Sequence, residues 1–309
     1  MTTAFVLSGG GSLGAVQVGM LSALHDHGIR PDLLVGTSAG ALNAGYLGTH
    51  GFTKETVESL GKLWRNTRRS NVFPFDPLRQ LLAVGGRRRS LCSSAPLHRV
   101  ISSNLPASTF DALQIPVHVV TTDTMSGEEL LLSSGDLHSA VLASAAIPGI
   151  FEPVEREGRF LMDGGVSNNI AISQAVTLGA ERVIVLPAGY ACALATPPQT
   201  PIAAALHALT VLIEQRLIVE IAALRDRVEI VVLPPLCPLS ISPADFSAAQ
   251  SLMVRAHVSS NEWLDAGNHL APRPERVLSL HTHAGQPAHH QSGHGADDPS
   301  AAPIDEETP

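Results

Sequence analysis

Ser38 stands in a sequence pattern that could carry out nucleophilic catalysis. Residues 36–40 form G-x-S-x-G between the apolar run 33–35 and a stretch that is predicted to be helical. A serine at such a strand–turn–helix junction presents its hydroxyl over the edge of a sheet, where it can attack an acyl carbon. The turn needs small neighbours, which Gly36, Ala39 and Gly40 supply. The pattern therefore predicts a nucleophile elbow.

A glycine-rich stretch near the N-terminus has two interpretations. Gly9, Gly11 and Gly14 follow a short apolar run with the spacing G-x-G-x-x-G, the fingerprint of dinucleotide-binding loops. A dinucleotide site also needs an acidic residue at the end of the second strand, whereas Asp32 lies before that strand. The N–H groups of Gly10 and Gly11, at the start of a predicted helix, can instead hold a negative oxygen. An oxyanion hole is favoured, and a Rossmann-type nucleotide-binding protein is the weaker alternative.

Two kinds of residue are available as the base for Ser38. An α/β-hydrolase would place an acid and then a histidine after the serine. Of the 14 histidines, those outside the C-terminal tail lie in no recognisable catalytic turn, and His98, His118 and His138 are better explained as surface or core-edge residues. Asp163 ends a predicted strand, and the two glycines that follow allow a sharp bend. An ordinary Asp-Gly turn explains the same residues, so the residues alone leave the base open.

Composition limits the class of protein. The net charge of −8 argues against a general nucleic-acid binder, which is usually basic. The three cysteines, at positions 92, 192 and 237, have no paired spacing, so we expect neither a disulfide framework nor a zinc site. The N-terminus lacks the features of a signal peptide, and the apolar stretch 201–224 is interrupted by Glu214, Arg216 and Glu220. We therefore expect a cytoplasmic protein without a membrane span.

The order of the predicted elements indicates an α/β fold. Two strand–loop–helix units follow one another within the first 50 residues, which implies parallel strands joined by crossover helices. Later strands are expected within 115–124, its hairpin partner 127–135, 158–165 and 227–235. A helix followed by a strand is expected within 169–189, and further helices within 136–147, 202–224 and 243–266. From residue 283 the composition turns to His, Gly, Pro, Asp and Ser, which predicts a disordered tail at 283–309.

Half of the basic residues lie in one segment, 54–99. It contains ten Lys or Arg and three acidic residues, a local charge near +7 in a chain of −8, and it includes Trp64, Phe73 and Phe75. One interpretation is a solvated helical insertion. The other is a peripheral contact with an anionic membrane, in which the aromatic side chains insert at headgroup depth.

Together the three motifs resemble the patatin-like phospholipase family. Members have a glycine-rich loop after the first strand, then G-x-S-x-G, then D-G-G or D-G-A, and the stretch ASAAIPGIFEPV before Asp163 is also similar. The resemblance covers about residues 4–187. It implies a three-layer α/β/α fold with a mainly parallel central sheet. It also implies a Ser38–Asp163 dyad in place of a triad, with an oxyanion hole at Gly9, Gly10 and Gly11.

The resemblance further implies that glycines of the three motifs support the site. These are Gly14, Gly36, Gly40, Gly164 and Gly165. Many members have a basic residue where this chain has Leu13, just before the last glycine of the loop, but backbone donors do not need that side chain. No metal or organic cofactor is implied.

The function implied by the resemblance is a serine acyl hydrolase that cleaves lipid carboxylic esters, of the phospholipase A, lysophospholipase or esterase type. A non-catalytic relative that binds acyl groups or partner proteins is the alternative. We expect a catalytic core at 4–187, C-terminal helices and a strand that complete the same domain at 188–282, and the tail beyond them.

Overall fold

A computed structural model describes residues 1–189, 201–237, 239 and 241–272. Over these residues the chain forms one eight-stranded sheet. Its strands are β1 (Thr3–Leu7), β2 (Leu33–Thr37), β3 (Val117–Asp123), β4 (Glu129–Leu132), β5 (Val154–Arg156), β6 (Arg159–Asp163), β7 (Arg182–Leu186) and β8 (Glu229–Val232). Successive strands in the order β5-β6-β3-β2-β1-β7-β8 are hydrogen-bonded to each other, and β4 also pairs with β3. Strands β1, β2, β3, β7 and β8 are parallel to one another.

Helices cover both faces of this sheet. They are α1 (Gly14–Asp26), α2 (Ala39–His50), α3 (Lys54–Asn66), α4 (Arg69–Val72), α5 (Pro77–Val84), α6 (Ala95–Asn104), α7 (Leu137–Ser144), α8 (Ile172–Thr177), α9 (Pro201–Leu224) and α10 (Ala249–Asp265). No helix among the described residues is long and apolar enough to cross a membrane.

Alternate side chains of the central strand β1 enter two separate cores. Phe5 and Leu7 pack into the core formed with α1, α2, α3 and α10, whereas Ala4 and Val6 pack into the core formed with α8 and α9. This alternation follows from the two-residue period of a strand. A sheet that is buried on both faces is typical of parallel strands with crossover helices. The predicted three-layer α/β/α fold is therefore confirmed.

Strand β3 brings the ends of β2 and β6 together. Thr37, the last residue of β2, lies opposite Val120, and Asp163, the last residue of β6, lies opposite Thr121. Because β4 pairs with residues 119–122 along the other edge of β3, β2 and β6 share one edge. Strand β2 runs parallel to β3 and β6 runs antiparallel to it, so their carboxyl ends meet.

Two expectations from the sequence need correction. Helix α10 begins at Ala249 and not near residue 243, because the preceding residues form a loop whose Pro243 carbonyl accepts a hydrogen bond from the Ser12 N–H at 2.8 Å. Cys237 is disulfide-bonded, which the spacing of the cysteines did not indicate, whereas Cys92 is free and buried. The predicted tail at 283–309 lies outside the described residues.

Candidate active site

Ser38 occupies a single-residue turn between β2 and α2. Its backbone has φ 53° and ψ −118°, and only Ser38 and Glu157 among the described non-glycine residues have a positive φ. Such a conformation is strained for a residue with a side chain and is characteristic of functional turns. The predicted strand–turn–helix context of Ser38 is present.

Gly40 allows this turn to pack against the end of β1. A Cβ atom at Gly40 would collide with the carbonyl oxygen of Leu7, and one at Gly36 would lie 2.6 Å from the carbonyl oxygen of Gly40. Larger residues at these positions would push α2 away from the sheet, and Ser38 would move with it. The small residues around Ser38 are therefore required by packing.

Ser144 anchors the strained backbone of Ser38. The Ser38 N–H donates to Ser144 Oγ at 2.8 Å, and the Ser144 hydroxyl donates to the Val120 carbonyl of β3 at 2.6 Å. Ser144 is fully buried at the end of α7. It lies in the ASAAIPGIFEPV stretch, but the sequence did not indicate its role.

Ser38 and Asp163 form a direct side-chain hydrogen bond. The Ser38 hydroxyl donates to Asp163 Oδ2 at 2.7 Å, and both residues are 7% exposed. The other carboxylate oxygen, Oδ1, accepts from the Gly165 N–H at 2.8 Å, which fixes the plane of the carboxylate. Gly164, which lies between Asp163 and Gly165 in the sequence, packs so tightly that a Cβ atom there would collide with the Val120 carbonyl. The structure thus brings together the two residues predicted to form a dyad.

Burial makes Asp163 a stronger base than an ordinary aspartate. Desolvation raises the pKa of Asp163 from 3.8 to about 6, although the hydrogen bonds from Ser38 and Gly165 act in the opposite direction. A carboxylate with this pKa is still ionised near neutral pH and holds a proton more firmly once it has accepted one. Both properties suit a general base that must later act as an acid.

The glycine-rich loop approaches Ser38, since a Cβ atom at Gly9 would lie 3.0 Å from Ser38 Cβ, and it carries two free backbone donors. The N–H groups of Gly10 and Gly11 donate to no residue that the structure describes. Gly11 has φ +58°, lines the same cavity as Ser38 and opens the short 3-10 turn that leads into α1. The Gly9 N–H differs, because it donates to Asn169 Oδ1 at 2.9 Å. In this conformation the Gly9 N–H is therefore not free to donate to an oxyanion, although the resemblance implied that it would.

Asn169 joins the glycine-rich loop to the loop that carries Asp163. Its Oδ1 accepts from the Gly9 N–H, and its Nδ2 donates to the Gly9 carbonyl at 3.4 Å. A Cβ atom at Gly165 would lie 3.1 Å from Asn169 Oδ1 and 3.1 Å from Asp163 Oδ1, so the three groups are close neighbours. Asn169 follows the D-G-G motif by four residues, and the sequence did not single it out.

A chain of buried hydrogen bonds supports the loop from behind. The Trp64 indole N–H donates to Asn43 Oδ1 at 2.8 Å, Asn43 donates to Gln17 Oε1 at 2.8 Å, and Gln17 donates to the Ser8 carbonyl at 2.8 Å. A Cβ atom at Gly14 would lie 2.6 Å from the Trp64 ring, so α1 and α3 are in close contact. Trp64 therefore belongs to the core of the site.

An apolar cavity extends from Ser38 and Gly11 into the layer of helices. It encloses about 50 Å³, less than the roughly 300 Å³ at which ordinary ligand pockets begin. Its walls include Leu42, Trp64, Val72, Phe73, Phe151 and Phe246.

The expectation that Trp64 and Phe73 insert into a membrane is wrong for this conformation. Trp64 is 3% exposed, and Phe73 is half-buried against Phe151 and Phe246.

The histidines considered as bases lie elsewhere. His118 contacts Ser133 Oγ at 2.6 Å, and burial lowers the pKa of its imidazole. His138 contacts the Leu105 carbonyl at 2.7 Å, and its ring packs against that of His98. Among the described residues, no histidine is hydrogen-bonded to Ser38 or Asp163, and no cluster of three or more His, Cys, Asp or Glu could hold a metal ion.

A scan against models of protein families matches residues 5–176 to the family described as patatin-like phospholipase. The match spans all three motifs and more than half of the chain. The chain belongs to the patatin-like phospholipase family. The matched range includes the glycine-rich loop, the elbow at Ser38 and the D-G-G turn.

Relatives of this patatin-like chain are longer proteins. It is 31% identical over 188 residues to patatin-like phospholipase domain-containing protein 7 of Rattus norvegicus, covering 60% of this chain and 13% of that protein. It is 30% identical over 186 residues to neuropathy target esterase sws of Drosophila melanogaster, with the same coverage. Lysophospholipase nte1 of Aspergillus terreus is 28% identical over 191 residues, covering 60% of this chain and 12% of that protein.

Among solved structures, the patatin-like chain resembles VipD from Legionella pneumophila. The TM-score is 0.42 at 16% identity, covering 84% of this chain and 67% of that chain.

Proposed function

We propose that this patatin-like chain is a serine acyl hydrolase that cleaves lipid carboxylic esters with a Ser38–Asp163 dyad. The observation that carries the proposal is the 2.7 Å hydrogen bond to Asp163 from the hydroxyl of Ser38, which lines an apolar cavity. Membership of a phospholipase family supports lipid esters as the substrate class. Two relatives that are named as an esterase and a lysophospholipase point to the same chemistry.

The first half-reaction acylates Ser38. Its Oγ forms a bond to the acyl carbon while its proton passes to Asp163 Oδ2. The electron pair of the carbonyl moves to the oxygen, where the N–H groups of Gly10 and Gly11 hold the negative charge. When this tetrahedral intermediate collapses, the bond to the alcohol breaks, and the leaving oxygen takes the proton from Asp163.

The second half-reaction releases the fatty acid. A water molecule attacks the acyl carbon and gives its proton to Asp163 Oδ2, and the same two N–H groups hold the oxyanion. Breakage of the Ser38 ester bond returns the proton from Asp163 to Ser38 Oγ. Every proton in this cycle moves between Asp163 and an oxygen within hydrogen-bond reach, so a histidine has no step to perform.

Two other functions have less support. A nucleotide-binding protein would need an acidic side chain after β2, where this chain has Ser38, Ala39 and Gly40. A non-catalytic acyl-binding relative would have no use for a buried carboxylate hydrogen-bonded to a strained serine, because both features cost stability. Strain and a raised pKa at one place favour catalysis.

We also propose that the basic segment 54–99 makes a peripheral contact with anionic membranes. Its ten basic and three acidic residues give it a charge opposite to that of such a surface. An enzyme that acts on lipid esters meets its substrate at an interface, so this contact fits the proposed reaction.

Hydrolysis of a soluble p-nitrophenyl ester tests the proposed dyad. We expect Ser38→Ala and Asp163→Asn to abolish turnover while both proteins stay folded, and His118→Ala and His138→Ala to retain it. If a folded Ser38→Ala protein kept most of its turnover, the nucleophile would be a different residue. If either histidine variant were inactive while Asp163→Asn was active, a triad would replace the dyad.

A further inference from the structure

Helix α5 directs a charged side chain inward and three of its apolar side chains outward. The Arg79 side chain faces inward, is 18% exposed and donates to Ser90 Oγ at 2.7 Å and Glu152 Oε1 at 2.8 Å. Leu78, Leu81 and Val84 face outward with exposures of 66%, 70% and 82%. A surface helix usually buries its apolar stripe and exposes its charges. This reversal leaves a row of apolar side chains without a protein partner among the described residues.

The residues on either side of α5 are also exposed. Phe75, just before the helix, is 80% exposed. Arg87, Arg88 and Arg89, just after it, are all exposed. We call Phe75, Leu78, Leu81 and Val84 the apolar row, and Arg87–Arg89 the arginine loop. Asp76 is used locally, because its side chain caps α5 by accepting from the Arg79 N–H at 2.9 Å.

We propose that the apolar row and the arginine loop dock onto an anionic phospholipid surface. Exposed aliphatic and aromatic side chains beside a basic cluster are what a peripheral protein inserts into the boundary between headgroups and acyl chains. Anionic lipid headgroups complement the charge of three adjacent arginines, whereas a second copy of this chain that docked through the same surface would bring positive charge against them. Charge complementarity therefore favours lipid over self-association.

The apolar row follows directly after residues that form the wall of the cavity beside Ser38. Val72 and Phe73, which precede the apolar row directly, form part of the cavity wall beside Ser38. Docking through α5 would therefore bring that cavity wall close to the phospholipid surface, which contains the acyl chains. This inference rests on the proposed hydrolase function, and it replaces Trp64 and Phe73 by the apolar row as the inserting side chains.

Vesicle co-sedimentation tests the docking surface directly. All proteins carry Ser38→Ala, so that lipid is not consumed, and the vesicles contain phosphatidylcholine alone or mixed equally with phosphatidylglycerol. We expect the parent protein to bind the mixed vesicles and to bind less as salt rises. We expect Arg87→Gln, Arg88→Gln and Arg89→Gln together to weaken binding by about a hundredfold, because each basic residue near the surface contributes about tenfold or less.

A second variant tests the apolar row, and two controls match the pair. Leu78→Ser, Leu81→Ser and Val84→Ser together should weaken binding by at least about tenfold, since each removes apolar area from the interface. Val254→Ser with Val258→Ser changes two residues of α10 that are about half exposed, at 52% and 50%. Arg225→Gln with Arg227→Gln removes exposed charge next to β8. Both controls should bind like the parent.

The outcomes separate this proposal from the proposed function. Unchanged binding in either test variant, or an equal loss in the controls, would overturn docking through α5. A parent that is dimeric by analytical ultracentrifugation and becomes monomeric in the Leu78/Leu81/Val84 variant would show instead that the row is a subunit interface. The same variants with Ser38 restored should hydrolyse a soluble ester at the rate of the wild type. If every protein lacked this activity, the proposed hydrolase function would be wrong, whereas the docking proposal would be unaffected.

Discussion

Ser38 and Asp163 lie 125 positions apart in the sequence, yet their side-chain oxygens are 2.7 Å apart. The relationship follows from β3, because its neighbouring residues Val120 and Thr121 pair with Thr37 and Asp163. Two strands that approach along one edge of β3 thus deliver a serine and a carboxylate to the same point. The proximity of the two side chains is therefore a property of strand register.

The pH dependence of kcat/KM should report the titration of Asp163. Its pKa of about 6 means that the carboxylate is protonated, and unable to accept the Ser38 proton, at lower pH. We expect kcat/KM for a soluble ester to rise through a single ionisation near pH 6 and then level off. A rising limb centred near pH 7, which disappears when a histidine is replaced, would contradict this assignment.

Asp163→Asn should remove activity and increase stability at neutral pH. The folded protein holds a proton on Asp163 up to about pH 6, whereas the unfolded chain releases it near 3.8. Folding stability of the wild type therefore falls as pH rises from about 4 to about 6, and the amide variant lacks this loss. We expect the variant to gain up to about 3 kcal/mol relative to wild type between these limits. Urea unfolding at pH 4 and pH 8 measures the difference, and a variant less stable than wild type at pH 8 would contradict burial as the cause.

Asn169→Ala should impair catalysis through the position of the glycine-rich loop. Without the carboxamide, Gly9 is no longer tied to the loop of Asp163, so the Gly10 and Gly11 donors lose their alignment. We expect kcat to fall by about tenfold to a hundredfold with little change in KM, less than the loss of a whole oxyanion donor. Asn168→Ala is the matched control, because Asn168 donates to Glu220 Oε1 at 2.7 Å and to Glu129 instead of to the loop. Equal losses of kcat in both variants would mean that Asn169 has only a general structural role.

Ser144→Ala should destabilise the protein and lower kcat together. The change leaves the buried Ser38 N–H without an acceptor, which costs about 1–3 kcal/mol, and it releases the strained turn that carries the nucleophile. Ser260→Ala serves as the control, because Ser260 is fully buried but its hydroxyl has no hydrogen-bond partner among the residues that the structure describes. Thermal unfolding should separate the two variants. Equal destabilisation would show that the Ser144 hydroxyl does not anchor the elbow.

The sequence predicted the fold class and Ser38 from local patterns, whereas Asp163 as its partner followed only from the resemblance to the family. Strand–turn–helix order sets the α/β class, and the motifs mark residues whose backbone must turn sharply. It could not predict that Trp64 is buried in a hydrogen-bond chain while Phe75 is exposed, since their fates depend on which helix faces pack together. The roles of Asn169 and Ser144 were also hidden, because each acts through a contact with a distant segment.

Labelling with a fluorophosphonate probe, followed by mass spectrometry of the modified peptide, tests the central claim most directly. The probe reacts with an activated serine and remains on it. The dyad predicts one phosphonylated residue, Ser38, in the wild type, no label in Ser38→Ala and strongly slowed labelling in Asp163→Asn. A folded wild-type protein that takes up no label, or label on a different serine that persists in Ser38→Ala, would contradict the account.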